Sequence, residues 1–466
     1  MFENVLGQSA VGQLIEDIRA NTLSRAMLFS GPPVSGKGTA ALELGRVISC
    51  EAGDIGRWNC ACPACARHRI LIHPDLLCMG RKNFSAEIAA SAGAFLREAT
   101  STLLTTLPVK TETSPCRILF IRSVRKLLAR FSPVLWEDDP KASKISSLVN
   151  SLEEDLDEIS SFSGGTKESF NKFVDEIKKD AFKLESEGMS ETIPIAQLRR
   201  AAWWCRLAPS GNGKLLVIEN ADRMQEEGRN SLLKLLEEPS ARLSVLLTSA
   251  RPGSLLPTIL SRLRPYRFNS RDAAVEADVI KRVFRDKAAS EEAASTGLEA
   301  YLDSFLPVSA VGLQALASYF AASVAHKAAL LAKRGGRALS GELVLLGKYS
   351  AARAEAAGLG RPKDDSGPVI AVILEKADKF EVRSLFPRFL SYLLQIVSQS
   401  QSTPRQTENE EAVLPDSSLQ IPHPSFFEMW MKGCNWAESA VGTYNLRPAP
   451  VLEKLFTDLS RGMAEL

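Results

Sequence analysis

The sequence has almost no excess charge of either sign, because 57 lysines and arginines stand against 55 aspartates and glutamates, a net charge of +2. This balance argues against a strongly basic protein that binds nucleic acid alone, so any contact with DNA should be local or shared with partners. The chain also has no uncharged apolar run long enough to span a bilayer and no signal peptide at its start. We therefore expect a cytoplasmic protein with no membrane partner.

No internal repeat is visible, and 466 residues are too many for a single hydrophobic core, so about three domains are expected. Apolar residues make up 45% and charged residues 24% of the chain, as in globular proteins. Four of the eight cysteines crowd together at Cys50, Cys60, Cys62 and Cys65. In a reducing compartment, such a cluster favours a metal site over paired disulfides.

A phosphate-binding loop with the sequence GPPVSGKGT occupies residues 31–39. It follows an apolar run at 26–29, which predicts a buried strand, and precedes a predicted helix at 40–44. Glycines let successive backbone N–H groups face one point, and the lysine of such a loop reaches the outer phosphates of a nucleotide. The candidate nucleotide ligands are Gly31, Ser35, Gly36, Lys37, Gly38 and Thr39.

Two further apolar runs, at 214–218 and 243–247, predict buried strands of the same kind. Glu219 follows the first run, Ser249 follows the second, and a helix is predicted between them at 230–238. Short apolar strands separated by helices indicate a parallel α/β sheet, whose ligands bind at the carboxyl ends of the strands. We therefore expect these strand ends to converge on one nucleotide.

The rest of the sequence is mostly helical in pattern. Apolar residues recur with helical spacing over 145–159 and 170–184, which predicts a helical hairpin that turns at 163–165 and has an acidic, solvated face over a small local core. From about residue 270 onward, Ala- and Leu-rich helical patterns dominate. A polar, proline-bearing segment at 402–422 interrupts them and predicts a mobile loop.

Two adjacent tryptophans, Trp203 and Trp204, follow the basic pair Arg199 and Arg200. Exposed indoles beside arginines would suit base stacking in nucleic acid. A helix with buried indoles and an exposed basic edge is the commoner arrangement, and it is the interpretation that we adopt.

Four motifs occur in an order that resembles the gamma/tau and delta-prime subunits of the bacterial DNA polymerase III clamp loader. They are FENVLGQ at 2–8, the cysteine cluster followed by HPD at 73–75, NSLLKLLEEP at 230–239 and TILSR at 258–262. The resemblance covers roughly residues 1–83 and 193–270. Their order and spacing carry it more than any single motif does.

The resemblance implies an AAA+ architecture: an α/β P-loop domain with a parallel sheet, a small helical lid domain and an all-α C-terminal collar domain used for oligomerisation. We expect these domains at 1–268, 269–310 and 311–466, with a zinc module at 50–65 and a helical insertion at 84–190 inside the first. The collar role comes from the resemblance, since the helical patterns themselves say only that these segments pack together.

In active members of this family, an Asp-Glu pair after the second strand holds magnesium and polarises the attacking water. Here the pair is Glu219-Asn220, and the neutral Asn220 cannot act as a carboxylate base. Gly38 removes the hydroxyl that usually binds the metal, and Thr39 stands one place later. Ser249 matches the residue that senses the γ-phosphate. We therefore expect a chain that can take ATP and Mg²⁺ but hydrolyses ATP poorly.

The resemblance places the family's arginine finger at Arg262, where Leu263 replaces the cysteine that usually follows. A guanidinium offered to the γ-phosphate of a neighbouring subunit stabilises the charge that develops in phosphoryl transfer. From the residues alone, the alternative is an arginine that caps a helix or pairs with a nearby acid.

The cysteine cluster has the form C-x9-C-x-C-x2-C, and four thiolates satisfy a tetrahedral, structural zinc ion. The family places two residues between its second and third cysteines, whereas this chain has only Ala61 there. His68 and His73 are alternative ligands, although His73 also belongs to the HPD turn.

These features lead to one leading hypothesis and two alternatives. The leading one is a delta-prime-like subunit in a hetero-oligomeric ring with delta and gamma/tau subunits, which lends Arg262 to a neighbour as the ring loads a sliding clamp on primed DNA. The first alternative is a gamma/tau-like motor, favoured by the intact Lys37 and opposed by Asn220. The second is a nucleoside monophosphate kinase, suggested by the sequence GKGT at 36–39.

Overall fold

The chain divides into two compact units, Met1–Leu306 and Pro307–Leu466. The computed structural model describes residues 1–80, 83–103, 114–137, 139–161, 167–190, 192–224, 226–237, 240, 242–306, 309–375, 379–402, 424–442, 444 and 446–465. The predicted turn at 163–165 and nearly all of the predicted loop at 402–422 lie outside these residues.

Both units are built from elements numbered here in chain order. Those of the first are α1 (Ser9–Arg19), β1 (Ala26–Ser30), α2 (Lys37–Ile48), α3 (Pro63–Arg69), β2 (Leu76–Met79), α4 (Ser85–Leu103), α5 (Pro115–Leu128), α6 (Pro133–Trp136), α7 (Ala142–Ser161), α8 (Lys167–Gly188), α9 (Ile195–Arg206), β3 (Lys214–Ile218), α10 (Glu226–Glu237), β4 (Leu243–Ser249), α11 (Pro257–Leu260), β5 (Arg264–Arg267), α12 (Ala273–Val283) and α13 (Lys287–Asp303). Those of the second are α14 (Ala310–Arg334), α15 (Gly341–Ala356), α16 (Gly367–Glu375), α17 (Lys379–Ser402), α18 (Pro424–Gly442) and α19 (Pro448–Glu465).

The first unit contains a parallel sheet with the strand order β2-β3-β4-β1-β5. The three predicted strands are its central ones. Every residue of β1 and β3 is buried, because the central strands of a parallel sheet are covered on both faces. The edge strands β2 and β5 escaped prediction because each has only four residues, and β5 buries only Tyr266. The α/β fold with a parallel sheet is therefore confirmed.

Helices α4 to α8 lie between β2 and β3 in the chain and form the insertion. The predicted hairpin is present as α7 and α8, which bury Leu152, Leu156, Val174 and Ile177. Its core is larger than the small local one expected, because α8 also packs on α4 and α5. The carboxylate of Glu185 in α8 accepts hydrogen bonds from the backbone N–H groups before and at the start of α4.

In its described residues, the second unit is helical, which confirms the predicted all-α C-terminal region. Its core includes Phe320, Phe389 and Phe456, whose rings meet edge to face. The stretch Val311–Arg334 is long and apolar enough to cross a membrane by length and composition, but 67% of its apolar window is buried inside the unit. A mostly buried apolar helix of this kind is typical of the centre of a helical bundle.

Candidate nucleotide and metal sites

The carboxyl edge of the sheet brings the candidate nucleotide residues together. β1 ends at Ser30, directly before the phosphate loop, and Ser30 pairs with Ser249 at the end of β4. β3 lies on the other side of β4, so Glu219, which follows β3, reaches the same edge. The loop, Ser249 and Glu219 therefore lie at the ends of three adjacent strands.

Two glycines let the phosphate loop curl. Gly31 has φ +148°, and a Cβ atom there would lie 2.0 Å from the carbonyl oxygen of Phe268. Gly36 has the left-handed φ of +95° and directly precedes α2, whose first turn contains Gly38 and Thr39. The N–H groups at the start of such a helix form a cradle for phosphate.

Lys37 folds its ammonium group onto the loop itself. Its Nζ atom donates to the carbonyl oxygen of Gly31 at 2.7 Å and to the Oγ of Ser35 at 3.2 Å. Ser35 is buried and in turn donates to the carbonyl oxygen of Pro32 at 2.9 Å. The positive charge is thus already at the mouth of the cradle, where a phosphate could replace the carbonyl oxygens as its partner.

A second cation at the loop, Arg271, was missed by sequence reasoning. Its guanidinium donates to the carbonyl oxygens of Val34, at 2.5 Å, and Leu6, at 3.1 Å. A Cβ atom on Gly36 would lie 2.6 Å from one of its nitrogens. Burial lowers the pKa of Arg271, against the opposite effect of Glu276. No motif contains this arginine, and only the folded chain brings it to the loop.

The carboxylate of Glu219 makes a buried ion pair with Arg130 of the insertion. The Nη2 atom of Arg130 lies 2.5 Å from the Oε2 atom of Glu219, and the two side chains are only 5% and 7% exposed. Burial acts to lower the pKa of Arg130, but the charge and hydrogen bond of Glu219, together with Cys78 and Glu87, outweigh it, so that the pKa is raised. Sequence reasoning missed Arg130 because it lies outside every nucleotide motif.

The next residues at this edge are held by short polar contacts. Asn220 has the left-handed φ of +51°, which asparagine tolerates, and its N–H donates to the Oγ1 of Thr248 at 3.2 Å. Ser249 is fully buried and donates from Oγ to the carboxylate of Asp222 at 2.8 Å. Asp222, a third residue that sequence reasoning missed, also lies 3.4 Å from the guanidinium of Arg251.

These side chains fit a phosphate anion, but they do not fit a magnesium ion held as the resemblance implies. The loop offers backbone N–H groups and two cations, Lys37 and Arg271. Mg²⁺ instead requires hard oxygen ligands and usually one or two carboxylates. Glu219 is bound to a guanidinium, Asn220 is neutral and Gly38 has no side-chain oxygen.

Arg262 lies at the surface, just after α11. Its Nη1 atom donates to the carbonyl oxygen of Thr258 at 2.7 Å, and its Nη2 atom lies 2.7 Å from the carboxylate of Glu237. The two charged side chains are 34% and 50% exposed. Leu263, the next residue, is buried and anchors the turn. Within one chain, Arg262 therefore pairs with a nearby acid, the alternative that the residues alone suggested.

The four clustered cysteines lie at one place in the first unit. Their sulfur atoms are all within 4.8 Å of one another, and those of Cys50 and Cys60 are 3.8 Å apart. Four thiolates about 2.3 Å from a tetrahedral zinc ion lie about 3.8 Å from one another, so the cluster is close to the size that zinc needs. The single residue between Cys60 and Cys62 does not prevent this arrangement.

The pKa values of two of the cysteines, Cys62 and Cys65, are shifted in opposite directions. Burial acts to raise the pKa of Cys62, but hydrogen bonds from the N–H groups of Glu51 and Cys65 and from the thiols of Cys60 and Cys65 together outweigh it and lower the pKa to about 6. Burial and the hydrogen bond to Cys62 raise the pKa of Cys65, against the guanidinium of Arg46, whose Nη1 atom lies 3.3 Å from the sulfur. The thiolate is the form that binds metal, so Cys62 is poised to bind at neutral pH.

The two alternative ligands, His68 and His73, stand outside the four-sulfur group. Their rings stack on each other with centroids 4.2 Å apart, and the Nδ1 atom of His73 accepts from the N–H of Asp75 at 3.2 Å. Burial, with His73 and Arg122 nearby, lowers the pKa of His68 to about 3. His68 therefore remains a neutral core residue at physiological pH.

Only one of the two adjacent tryptophans is buried as expected. Trp204 is buried beneath the ammonium group of Lys214, 4.0 Å from the ring centroid. Trp203 is 53% exposed, so the expectation that both indoles are buried is wrong. Neighbouring positions on α9 point in different directions, so a helix with one buried face cannot cover both side chains.

Comparison with protein families gives a match across most of the first unit. The family model described as DNA polymerase III, delta subunit, matches residues 7–131 and 139–272, which together are more than half of the chain. These ranges contain the phosphate loop, the four cysteines, Glu219 and Arg262.

Individual relatives match over shorter segments. DNA polymerase III subunit delta' of Pseudomonas aeruginosa is 40% identical over 84 residues, which cover 18% of this chain and 26% of that protein. The Bacillus subtilis protein of the same name is 39% identical over 72 residues, which cover 14% and 22%. The match thus spans about a quarter of the length of each relative. A solved gamma subunit-related protein of DNA polymerase III from Thermotoga maritima is 17% identical with a TM-score of 0.26, over 72% of this chain and 99% of that one.

Proposed function

The chain belongs to the family described as DNA polymerase III, delta subunit, and from this premise we propose that it is a delta-prime-like clamp-loader subunit. In this role it joins delta and gamma/tau subunits in a ring that loads a sliding clamp on primed DNA. The neutral Asn220, at a position where catalysis needs a carboxylate, is the observation that carries the proposal. A cytoplasmic location agrees with this role.

Weak or absent ATP hydrolysis by this chain follows from the chemistry of its strand ends. A general base must accept a proton from the attacking water, and the amide of Asn220 cannot do so. Glu219 retains a carboxylate, but Arg130 already neutralises it. The phosphate loop and its two cations can still hold the phosphates of ATP, so the site binds nucleotide and cleaves it poorly.

Arg262 acts, in this proposal, on the nucleotide of a neighbouring subunit. Its ion pair with Glu237 is exposed, and exposed pairs contribute only about 0–1 kcal/mol, so the guanidinium can exchange partners at small cost. A planar guanidinium suits the charge on the equatorial oxygens of a transferring phosphoryl group. The buried Leu263 and the bond to Thr258 would present it from a fixed turn.

The remaining parts have supporting roles. The four cysteines would hold a structural zinc ion, which fixes the loop between α2 and α3 and takes no part in the reaction. We assign nucleotide binding to 1–268, a helical lid to 269–310 and the oligomerising collar to 311–466. Ser249, tied to Asp222, would sense the γ-phosphate.

The test is ATP turnover by the reconstituted loader that carries Arg262→Ala. We expect DNA-stimulated turnover to fall about tenfold or more, since an arginine finger accelerates phosphoryl transfer by several orders of magnitude at its own site. The matched control is Arg282→Ala, which removes another exposed, ion-paired arginine and should leave turnover unchanged. Unchanged turnover with Arg262→Ala would remove the finger role.

The intact Lys37 favours a second candidate, a gamma/tau-like motor that hydrolyses ATP itself. The same assembly distinguishes the two, because Lys37→Ala should abolish most of the turnover of a motor. For a delta-prime-like subunit, the same change should lower turnover by less than about twofold, since hydrolysis occurs in the neighbouring subunits.

A further inference from the structure

Several contacts fix the side chain of Arg130 at the carboxyl edge of the sheet, although this residue belongs to the insertion. It lies 89 residues before Glu219, in the turn Ala129–Phe131 that follows α5. Its Nη1 atom donates to the carbonyl oxygen of Lys126 at 2.8 Å, and the guanidinium lies 5.1 Å from the ring centroid of Phe84. Its contact with Glu219 is therefore one of several that fix the same group.

The groups that hold Arg130 are themselves fixed by the insertion. The indole of Trp136 donates to the carbonyl oxygen of Arg130 at 2.8 Å. Glu185 of α8 accepts from the N–H of Phe84 at 2.8 Å, which positions the ring beside the guanidinium. Three separate parts of the insertion thus hold one positive charge against Glu219.

A divalent cation and this guanidinium would compete for the same carboxylate. Both would lie within a few ångströms of it in a buried site, where like charges repel strongly. Release of Arg130 would also strand a charged group that is 5% exposed, and an uncompensated buried charge is strongly destabilising. The native fold therefore favours Arg130 over a metal ion.

We propose that Arg130 takes the place of the divalent cation at Glu219, so that this chain binds nucleotide phosphates without Mg²⁺. Lys37 and Arg271 supply positive charge at the loop, and the N–H groups of the loop and of α2 complete the cradle. The insertion thereby determines which form of the nucleotide this chain takes. The inference rests on the proposed nucleotide site, but not on the proposed role of Arg262.

The test compares the affinity of the purified full chain for a fluorescent ATP analogue in excess Mg²⁺ and in excess EDTA. For the native chain, we expect the two dissociation constants to agree within about twofold, a difference of about 0.4 kcal/mol. For Arg130→Met, which removes this guanidinium from the Glu219 carboxylate, we expect Mg²⁺ to tighten binding by about tenfold or more. The double variant Arg130→Met, Glu219→Leu should again be indifferent to Mg²⁺, because the Glu219 carboxylate is gone and that of Asp222 is engaged by Ser249 and Arg251.

The double variant also protects the test against misfolding, since it leaves no charge stranded in the core. Affinity of the native chain that rises tenfold or more with Mg²⁺ would overturn the inference and leave the arginine-finger proposal intact. So would a failure of the native chain to bind nucleotide in either buffer. Equal Mg²⁺ responses of Arg130→Met and the double variant, both folded by circular dichroism, would also overturn it. A failure of the Arg262 test leaves this result unaffected.

Discussion

The cysteine module and the carboxyl edge of the sheet are assembled in different ways. All four sulfur atoms come from residues 50–65, and they converge within 4.8 Å. The nucleotide edge instead draws on the loop at 31–39, Arg130, Glu219 and Arg271, which are far apart in sequence. The ligands of a site made from one short segment can be recognised by their spacing in the sequence. A site made from several segments can be altered by a substitution in any one of those segments.

Arg130 illustrates this difference. The pair Glu219-Asn220 at the end of β3 can be recognised in the sequence. The guanidinium that neutralises Glu219 comes from the insertion, which contains no recognised motif. The same insertion also reaches the segment after the four cysteines, where Arg122 donates to the carbonyl oxygens of His68 and Arg69 and Arg125 donates to that of Ile70, and none of these atoms belongs to the four sulfurs. We therefore expect the two regions to respond differently when single side chains are removed.

The largest effect is expected at the local site. Cys65→Ala removes one of four ligands from a closed zinc site, and a structural zinc ion contributes much of the stability of the segment that binds it. We expect bound zinc to fall from one ion per chain to nearly none, and the first thermal transition to drop by about 10 °C, which corresponds to a few kcal/mol. Plasma mass spectrometry and calorimetry measure the two quantities.

The matched control for this experiment is Cys205→Ala. Cys205 is equally buried in the same unit but stands outside the four-sulfur group, so zinc content should not change. A native chain that holds no zinc, or a Cys65→Ala variant that keeps it, would show that this cluster is a set of buried thiols and not a metal site.

The sequence predicts the parts of this protein that depend on short-range patterns. The three central strands, the hairpin of α7 and α8 and the cysteine cluster all follow from apolar spacing or ligand spacing. It fails for the edge strands β2 and β5, which are short, and for Trp203, which shares a helix with the buried Trp204. Arg130 and Arg271 could not be found because their roles exist only when distant segments meet.

The next largest effect is expected for the long-range pair. Arg130→Met removes the buried counter-charge of Arg130 from Glu219, which should lower the free energy of unfolding by about 3–5 kcal/mol. Glu219→Leu should cost a similar amount for the opposite reason. The double variant should recover most of the loss, because a well-packed apolar pair commonly replaces a buried ion pair without penalty. Urea unfolding of the four proteins gives the coupling energy directly.

Additive losses in this cycle would mean that the two charges do not depend on each other. In that case Glu219 would have another principal partner, and Arg130 would not be the group that neutralises it.

The smallest effect is expected at the exposed pair of Arg262 and Glu237. Glu237→Gln removes the same kind of partner as Glu219→Leu does, but from a pair whose side chains are 34% and 50% exposed. Water and salt replace the lost interaction, so the free energy of unfolding should change by less than about 1 kcal/mol. The same urea unfolding, with Arg262→Ala alongside, measures it. A loss as large as that of Arg130→Met would mean that Arg262 is bound structurally within its own chain. A negligible loss leaves its guanidinium free to exchange Glu237 for the phosphate of another subunit, which Arg130 cannot do.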